Sequence, residues 1–185
     1  MSEHPASPSI LERPGLVCLL LAGASAAMLA GAFAFQYIGG LAPCVLCIWQ
    51  RWPYAAVIAL GLIGAGLASG AKPSGPLLGT IIAVAALALF VDAGFAGFHV
   101  GVEQHWWEGT RACVGATGGA GSPEEVLADL LSKTKVVRCD EVAWSLAGIS
   151  MAGYNMMIAL GLGVFAILAA MRTFGARARE GGDDG

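Results

Sequence analysis

Residues 43 to 52 read P-C-V-L-C-I-W-Q-R-W, a C-x-x-C pair with an arginine four positions after its second cysteine. The chain holds five cysteines, Cys18, Cys44, Cys47, Cys113 and Cys139. A bridge inside a C-x-x-C closes almost no loop and stabilises little, so its usual value is chemistry. A thiolate favoured by a helix N-terminus or a nearby cation exchanges readily with another disulfide. Cys47 lies one residue before Ile48, where an apolar helix is predicted to begin. Arg51, four residues on, stacks over the same face one turn deeper. Other chemistries use the same residue types. Zinc takes about four ligands, which Cys44, Cys47, Cys113 and Cys139 together would supply. A c-type haem needs C-x-x-C-H, and isoleucine at position 48 excludes it. Arg51, flanked by Trp49, Trp52 and Tyr54, also fits an anchor in an interfacial aromatic belt.

The elements that must carry these residues are apolar. Of 185 residues, 57% are hydrophobic and 12% charged, about half the charge of an ordinary soluble domain. Leu16 to Gln36, Trp52 to Ser69, Leu77 to Val91 and Val142 to Met171 contain no charge, and each is near the roughly 20 residues that cross a bilayer as a helix. The expected fold is an all-α membrane protein: a four-transmembrane-helix bundle with two periplasmic loops, the second carrying a short amphipathic helix. The spans fall at about 16–37, 48–68, 76–98 and 143–171 in a single integral membrane domain, 1–185. The first span reads as retained rather than cleaved, because more apolar sequence follows Ala32-Phe33-Ala34.

Basic residues near the membrane orient the bundle. Arg13, Lys72, Arg172, Arg177 and Arg179 place the tails 1–15 and 172–185 and the short middle turn in the cytoplasm under the positive-inside rule. Loops 38–47 and 99–142 are then exported. They hold four cysteines, an even number in an oxidising compartment, which predicts two disulfides. Three pairings of four cysteines exist. Cys44–Cys47 is the local one, and by elimination Cys113 would pair with Cys139, closing a loop worth about 3–4 kcal/mol in chain entropy. Cys18, at the cytoplasmic start of span one, reads as a small apolar packing residue.

The long loop contains a glycine-rich run, Gly115 to Gly121, expected to be flexible. A helix then starts with Ser122 as N-cap, Pro123 at N1 and Glu125 at N3. Val126, Leu127, Leu130 and Leu131 give it an apolar face, to lie on the outer membrane surface or on the bundle top. Asp92 follows fifteen uncharged positions. An acid within a span marks function by default, and it is expected to pair with Arg51 or reach water. Trp144, Met151 and Asn155 read as packing and interface residues.

Three segments occur in order: P-C-V-L-C-I-W-Q-R (43–51), H-V-G-V-E-Q-H-W-W (99–107) and R-C-D-E-V-A-W-S-L-A-G-I-S-M-A-G-Y-N (138–155). Over about residues 14–171 the chain resembles the disulfide bond formation protein B family, the quinone-reducing membrane thiol oxidases of bacteria. The resemblance implies a quinone-dependent protein-disulfide oxidoreductase of the bacterial inner membrane, multi-pass, with both termini cytoplasmic. By that resemblance Cys113 and Cys139 exchange with a periplasmic thioredoxin-fold disulfide oxidase. Cys44 and Cys47 form the pair beside the quinone, with Arg51 and Glu103 at its pocket.

The implied sequence starts with a mixed disulfide at Cys113. Cys139 then attacks Cys44, Cys47 becomes a thiolate, and electrons pass to ubiquinone or menaquinone and so indirectly to the respiratory chain. Some family members carry a histidine directly after the glutamate. Here Gln104 stands there and His105 follows, rotated by about 100 degrees on a helix. His99, four residues before Glu103, faces the same side and joins it as a candidate cofactor-binding residue and proton donor. No metal and no nucleic acid are implied. The other readings are a vitamin K epoxide reductase-like oxidoreductase, whose helix-linked cysteine pair usually comes late in the chain, and a non-enzymatic cysteine-bridged or zinc-binding membrane protein.

Overall fold

The uncharged runs become helices because lipid offers backbone groups no other partner. A computed structural model describes residues 9–70, 74–110, 113 and 137–180, the last five by backbone alone. Lys72, the 115–121 glycine run, the 122–131 segment and the side chains of Arg177 and Arg179 lie outside the described residues. A 3-10 turn at Ile10–Glu12 leads to α1 (Pro14–Tyr37), α2 (Val45–Trp49), α3 (Arg51–Ala68) and α4 (Gly75–Glu103). Two short strands, β1 (Ser145–Leu146) and β2 (Ile149–Ser150), precede α5 (Met151–Glu180). Four segments are long and apolar enough to cross a membrane: Pro14–Tyr37, Val45–Ala68, Gly75–Glu103 and Met151–Gly175. Leu62, Ile63, Leu87, Val91, Leu160 and Leu168 face outward, an exterior suited to acyl chains and not to water. The protein is the all-α, four-helix membrane protein that its composition predicts.

Of the helix ends that differ from expectation, three have a local reason, while the last helix also runs on to Glu180, past the expected 171. The second span starts at Val45 rather than near 48, with Cys44 as its N-cap, and it breaks at Gln50. Pro53 accounts for the break: it cannot donate to the Trp49 carbonyl four residues back, and its ring crowds that oxygen. The third span runs to Glu103 rather than 98, so His99 and Glu103 are helical. Its 29 residues make a rod of roughly 43 Å, well beyond a hydrocarbon core of roughly 30 Å. The fourth helix starts at Met151 rather than 143. Ala147 (φ 51) and Gly148 (φ 79) form a tight turn that pairs Ser145 with Ser150 and Leu146 with Ile149. Two positive φ values in succession make a type I′ hairpin, through which no helix can pass. Ser150 then caps α5, its Oγ accepting from the Gly153 N–H at 3.1 Å.

The most extensive helix contacts are α4 on α5 and α1 on α3, and α3 on α4 joins the two pairs. The core is built largely of small residues, with Cys18, Val57, Ala85, Ala86, Ala166 and Ala169 among them, so backbones approach closely. A Cβ at Gly61 would lie 2.6 Å from the Cys18 carbonyl oxygen, and one at Gly64 would lie 2.6 Å from Cys18 Sγ. Cys18 is therefore a packing residue of the α1–α3 contact.

Candidate functional site

The chain leaves α1 through Gly40, at φ 68, and returns into α2 at Cys44. The Cys44 sulphur caps that helix by accepting the Cys47 N–H at 3.3 Å, and the two sulphurs stand 2.7 Å apart. From the segment that follows α4, Cys113 and Cys139 arrive at the same place. Cys44, Cys113 and Cys139 are buried in one cluster with Leu46 and Val102, and Cys47 packs against it. All five cysteines are free thiols, so the expected Cys44–Cys47 and Cys113–Cys139 bridges are open here.

Cys139 stands in the middle of the cluster. Its N–H donates to the Cys113 carbonyl at 3.1 Å. The neighbouring thiols of Cys44 and then Cys113, with the backbone N–H groups of Leu46 and Val45, favour its thiolate. Together they outweigh burial and lower its pKa to about 6. Its neighbours move the other way. Burial, then the bond given to Cys139, pushes Cys113 up to about 11. Donation to Cys139 and to Cys47, then burial, raises Cys44. In physical terms, among Cys44, Cys113 and Cys139 the thiolate character falls on Cys139, which is buried beside both of its exchange partners.

Two cavities flank the cluster. One, of about 410 Å³, has Cys44, Cys47, Arg51, His99 and Glu103 in its wall among apolar residues such as Leu29, Phe35 and Ile158. Arg51 gives one N–H to Gln36 Oε1 at 2.8 Å and lies over the Phe33 ring, 4.8 Å from its centroid. Its Nε is buried without a partner. Trp49 and Trp52 beside it are exposed, as a belt requires, but Tyr54 is buried and belongs to the interior. The second cavity, of about 390 Å³, meets Cys113 through His105, Trp106, Trp107, Arg138 and Asp140. Arg138 grips Asp140 through two bonds, at 2.9 and 2.5 Å. The cysteines thus separate an apolar chamber from a polar one.

Behind Cys44 runs a buried polar chain. His99 Nε2 lies 3.6 Å from Cys44 Sγ and 3.8 Å from Glu103 Oε1. The other oxygen of Glu103 accepts from Ser150. Gln50 Nε2 meets His99 Nδ1 at 3.0 Å. Asn155 donates to Gln50 at 2.8 Å and to Asp92 at 3.1 Å, and it accepts from Tyr54 at 2.6 Å.

Two expectations are corrected here. Asp92 neither pairs with Arg51 nor reaches water: it is 0% exposed and held by Asn155. Asn155 is the hub of the chain rather than a packing residue. Gln50 and Tyr54 belong to the site and were not singled out from sequence. The available signal was a polar residue inside a span, which applies to Gln50 and Asn155 as it does to Asp92. His105 stands apart from this chain, exposed and at φ 57 where the helix ends. Donor atoms of Cys44, Cys47 and His99 lie within 4.8 Å of one another, three soft ligands where a structural zinc site has four.

A family model described as disulfide bond formation protein DsbB matches residues 14–169. Among similar curated proteins is a disulfide bond formation protein B of Burkholderia thailandensis, 38% identical over 89 residues. That match covers 48% of this chain and 46% of the relative, so the chain spans under half of that protein's length. A disulfide bond formation protein B of Xanthomonas campestris pv. campestris is 31% identical over 166 residues, covering 83% of this chain and 88% of the relative. The Xanthomonas axonopodis pv. citri protein of the same name is 29% identical over 157 residues, covering 80% and 86%. No solved structure gives a significant match.

Proposed function

Because the chain belongs to the disulfide bond formation protein DsbB family, we propose that this membrane oxidoreductase reoxidises a periplasmic thioredoxin-fold disulfide oxidase and delivers the electrons to a membrane quinone. The observation that carries the proposal is the place of Cys139, buried in one cluster with Cys113 and with Cys44. A sulphur in that position can exchange with either neighbour.

The steps follow from thiolate attack on a reachable disulfide. The partner's dithiol opens a Cys113–Cys139 bridge, taking Cys113 into a mixed disulfide and releasing Cys139. Cys139 attacks Cys44 of a Cys44–Cys47 bridge, and Cys47 leaves with the electron pair. When Cys113 is freed it closes again on Cys139, and Cys44 departs. The net change is an oxidised partner and a reduced Cys44/Cys47 pair, ready to give up two electrons and two protons.

The apolar chamber fits the ring and tail of a quinone, ubiquinone or menaquinone. Cys47 lies in its wall, and the buried, unpartnered Nε of Arg51 suits an acceptor oxygen. When bound, a quinone supplies the two-electron acceptor. Arg51 offers it a hydrogen-bond donor and positive charge, while His99 and Glu103 hold protons at the chamber's cysteine end. The basic residues Arg13 and Arg172 support cytoplasmic termini and a periplasmic cysteine face in the bacterial inner membrane.

The deciding experiment is quinone reduction by the purified protein fed with a reduced thioredoxin-fold oxidase. Wild type is compared with Cys44→Ser, Cys47→Ser and Cys139→Ser. Turnover in the wild type and its loss in all three variants is the expected result. A folded, quinone-supplied wild type without turnover refutes the proposal.

A further inference from the structure

The polar chain behind Cys44 has a direction. Asn155 Nδ2 has two hydrogens and gives one to Gln50 Oε1 and one to Asp92 Oδ2, while its oxygen accepts from the Tyr54 hydroxyl. Turning that amide over would set its oxygen against the Asp92 and Gln50 oxygens, so Asp92, as acceptor, selects the orientation. With the Gln50 oxygen taken, the Gln50 amide nitrogen faces His99 Nδ1 at 3.0 Å. An amide NH₂ only donates, so Nδ1 accepts and the ring proton sits on Nε2. That N–H stands 3.6 Å from Cys44 Sγ. Amide side chains do not conduct protons, so the chain aims a donor and is not a proton wire. A buried acid whose second oxygen, Oδ1, has no partner is a costly way to build a span. Selection of one amide orientation gives that cost a purpose.

We propose that Asp92 is a positioning residue: acting through Asn155 and Gln50, it holds His99 in the Nε2–H tautomer, which donates to the Cys44 sulphur as that sulphur leaves a disulfide. The step belongs to the relay proposed above and rests on it. The Cys113 thiolate attacks Cys139 Sγ, a Cys113–Cys139 bond forms, and the Cys139–Cys44 bond breaks. The electron pair and the negative charge pass to Cys44, where the His99 N–H meets them. Glu103 does not take the place of His99 here, because its two oxygens face Ser150 and His99, and His99 stands between it and Cys44.

The test is ¹⁵N NMR of the full chain, reduced, in bilayer nanodiscs with labelled histidine. The chain has three histidines, His4, His99 and His105, and His99→Phe identifies the signal. The wild type is expected to show neutral His99 protonated at Nε2. Asp92→Asn keeps an acceptor oxygen and should keep that tautomer. Asp92→Leu should mix the two tautomers. Gln50→Glu, nearly isosteric, reverses the bond at Nδ1 and should move the proton there.

Turnover should follow: about tenfold slower in Asp92→Leu and Gln50→Glu, and within about twofold of wild type in Asp92→Asn, as for loss of one hydrogen bond to a charged atom. A wild-type His99 protonated at Nδ1, or at both nitrogens, overturns the proposal. So does an Asp92→Leu protein that keeps the wild-type tautomer. Should Asp92→Leu fail to fold, Gln50→Glu decides: an unmoved proton overturns the proposal and a moved one supports it. The tautomer is read without turnover, so failure of the relay and failure of the positioning chain are separate results.

Discussion

Replacing Asn155 by leucine removes the side chain that joins three helices beneath the cysteines. Tyr54 comes from α3, Asp92 from α4 and Asn155 from α5, with Gln50 at the break before α3, and three hydrogen bonds vanish together. Two scales compete for the cost. For buried groups orphaned in a water-soluble protein, about 1–3 kcal/mol each would sum to about 3–9 kcal/mol. For hydrogen bonds between helices in a bilayer, the average is about 0.6 kcal/mol each, which sums to about 2 kcal/mol. The second scale applies, because helices separated in lipid keep these groups out of water and let them find other partners. Tyr54→Phe loses one bond and should cost about 0.6 kcal/mol. Added to Asn155→Leu it should cost almost nothing more, since its partner is already gone. Reversible unfolding in mixed micelles, driven by the mole fraction of dodecyl sulfate, measures all three variants. An Asn155→Leu protein no less stable than Tyr54→Phe would refute the hub.

Other outcomes follow from the same geometry. In the reduced protein Cys139, lowered from 9.0 to about 6, should give thiolate absorbance at about 240 nm that is complete above about pH 7 and is lost below about 6. Its depressed pKa also gives the reduced fold a stability that is complete above 9 and is lost as pH falls through about 6. Thiolate absorbance that is absent at pH 7 and appears only by pH 9, and that Cys139→Ser removes, would contradict this. Gly61→Leu drives a Cβ to 2.6 Å from a backbone oxygen and should destabilise the bundle by about 1–3 kcal/mol or more in the same micelles. Gly66→Ala, with nothing within 4 Å of the new Cβ, should not. Gly101→Ala forces its Cβ into the Trp107 ring beside Cys113. It should slow oxidation of a protein partner more than oxidation of a small dithiol, and equal slowing of both would count against that role for Trp107.

The helices are legible in the sequence because lipid leaves an uncharged run no alternative to them. Their joints are less so. Pro53 is visible, but where the helix breaks depends on which carbonyl its ring crowds. The β1–β2 turn needs positive φ at Ala147 as well as at Gly148, and alanine carries no such signal. The cysteines are legible as two pairs from their spacing and topology. Their gathering into one cluster is not, because it depends on α4 running past the bilayer to carry Val102 and the segment after it over α2. The polar chain is hidden for a similar reason. Gln50, Tyr54, Asp92 and Asn155 lie on different helices, and each alone reads as an anchor, a packing residue or an isolated acid. Only their contacts turn four weak signals into one structure.

That gathering changes what the long loop must do. With Cys139 seen only as a loop residue, the 115–121 glycine run would have to carry its sulphur between two distant partners. In the structure Cys139 lies in one buried cluster with Cys113 and Cys44, and the backbone N–H groups of Val45 and Leu46 steady its charge. Exchange between the two pairs then needs only small movements among sulphurs already gathered. A fixed cluster should run that internal step at a rate insensitive to loop length. Lengthening the glycine run should leave transfer from Cys139 to Cys44 unchanged and alter only the encounter at Cys113. Slower internal transfer on lengthening would mean that the loop, and not the cluster, sets the rate.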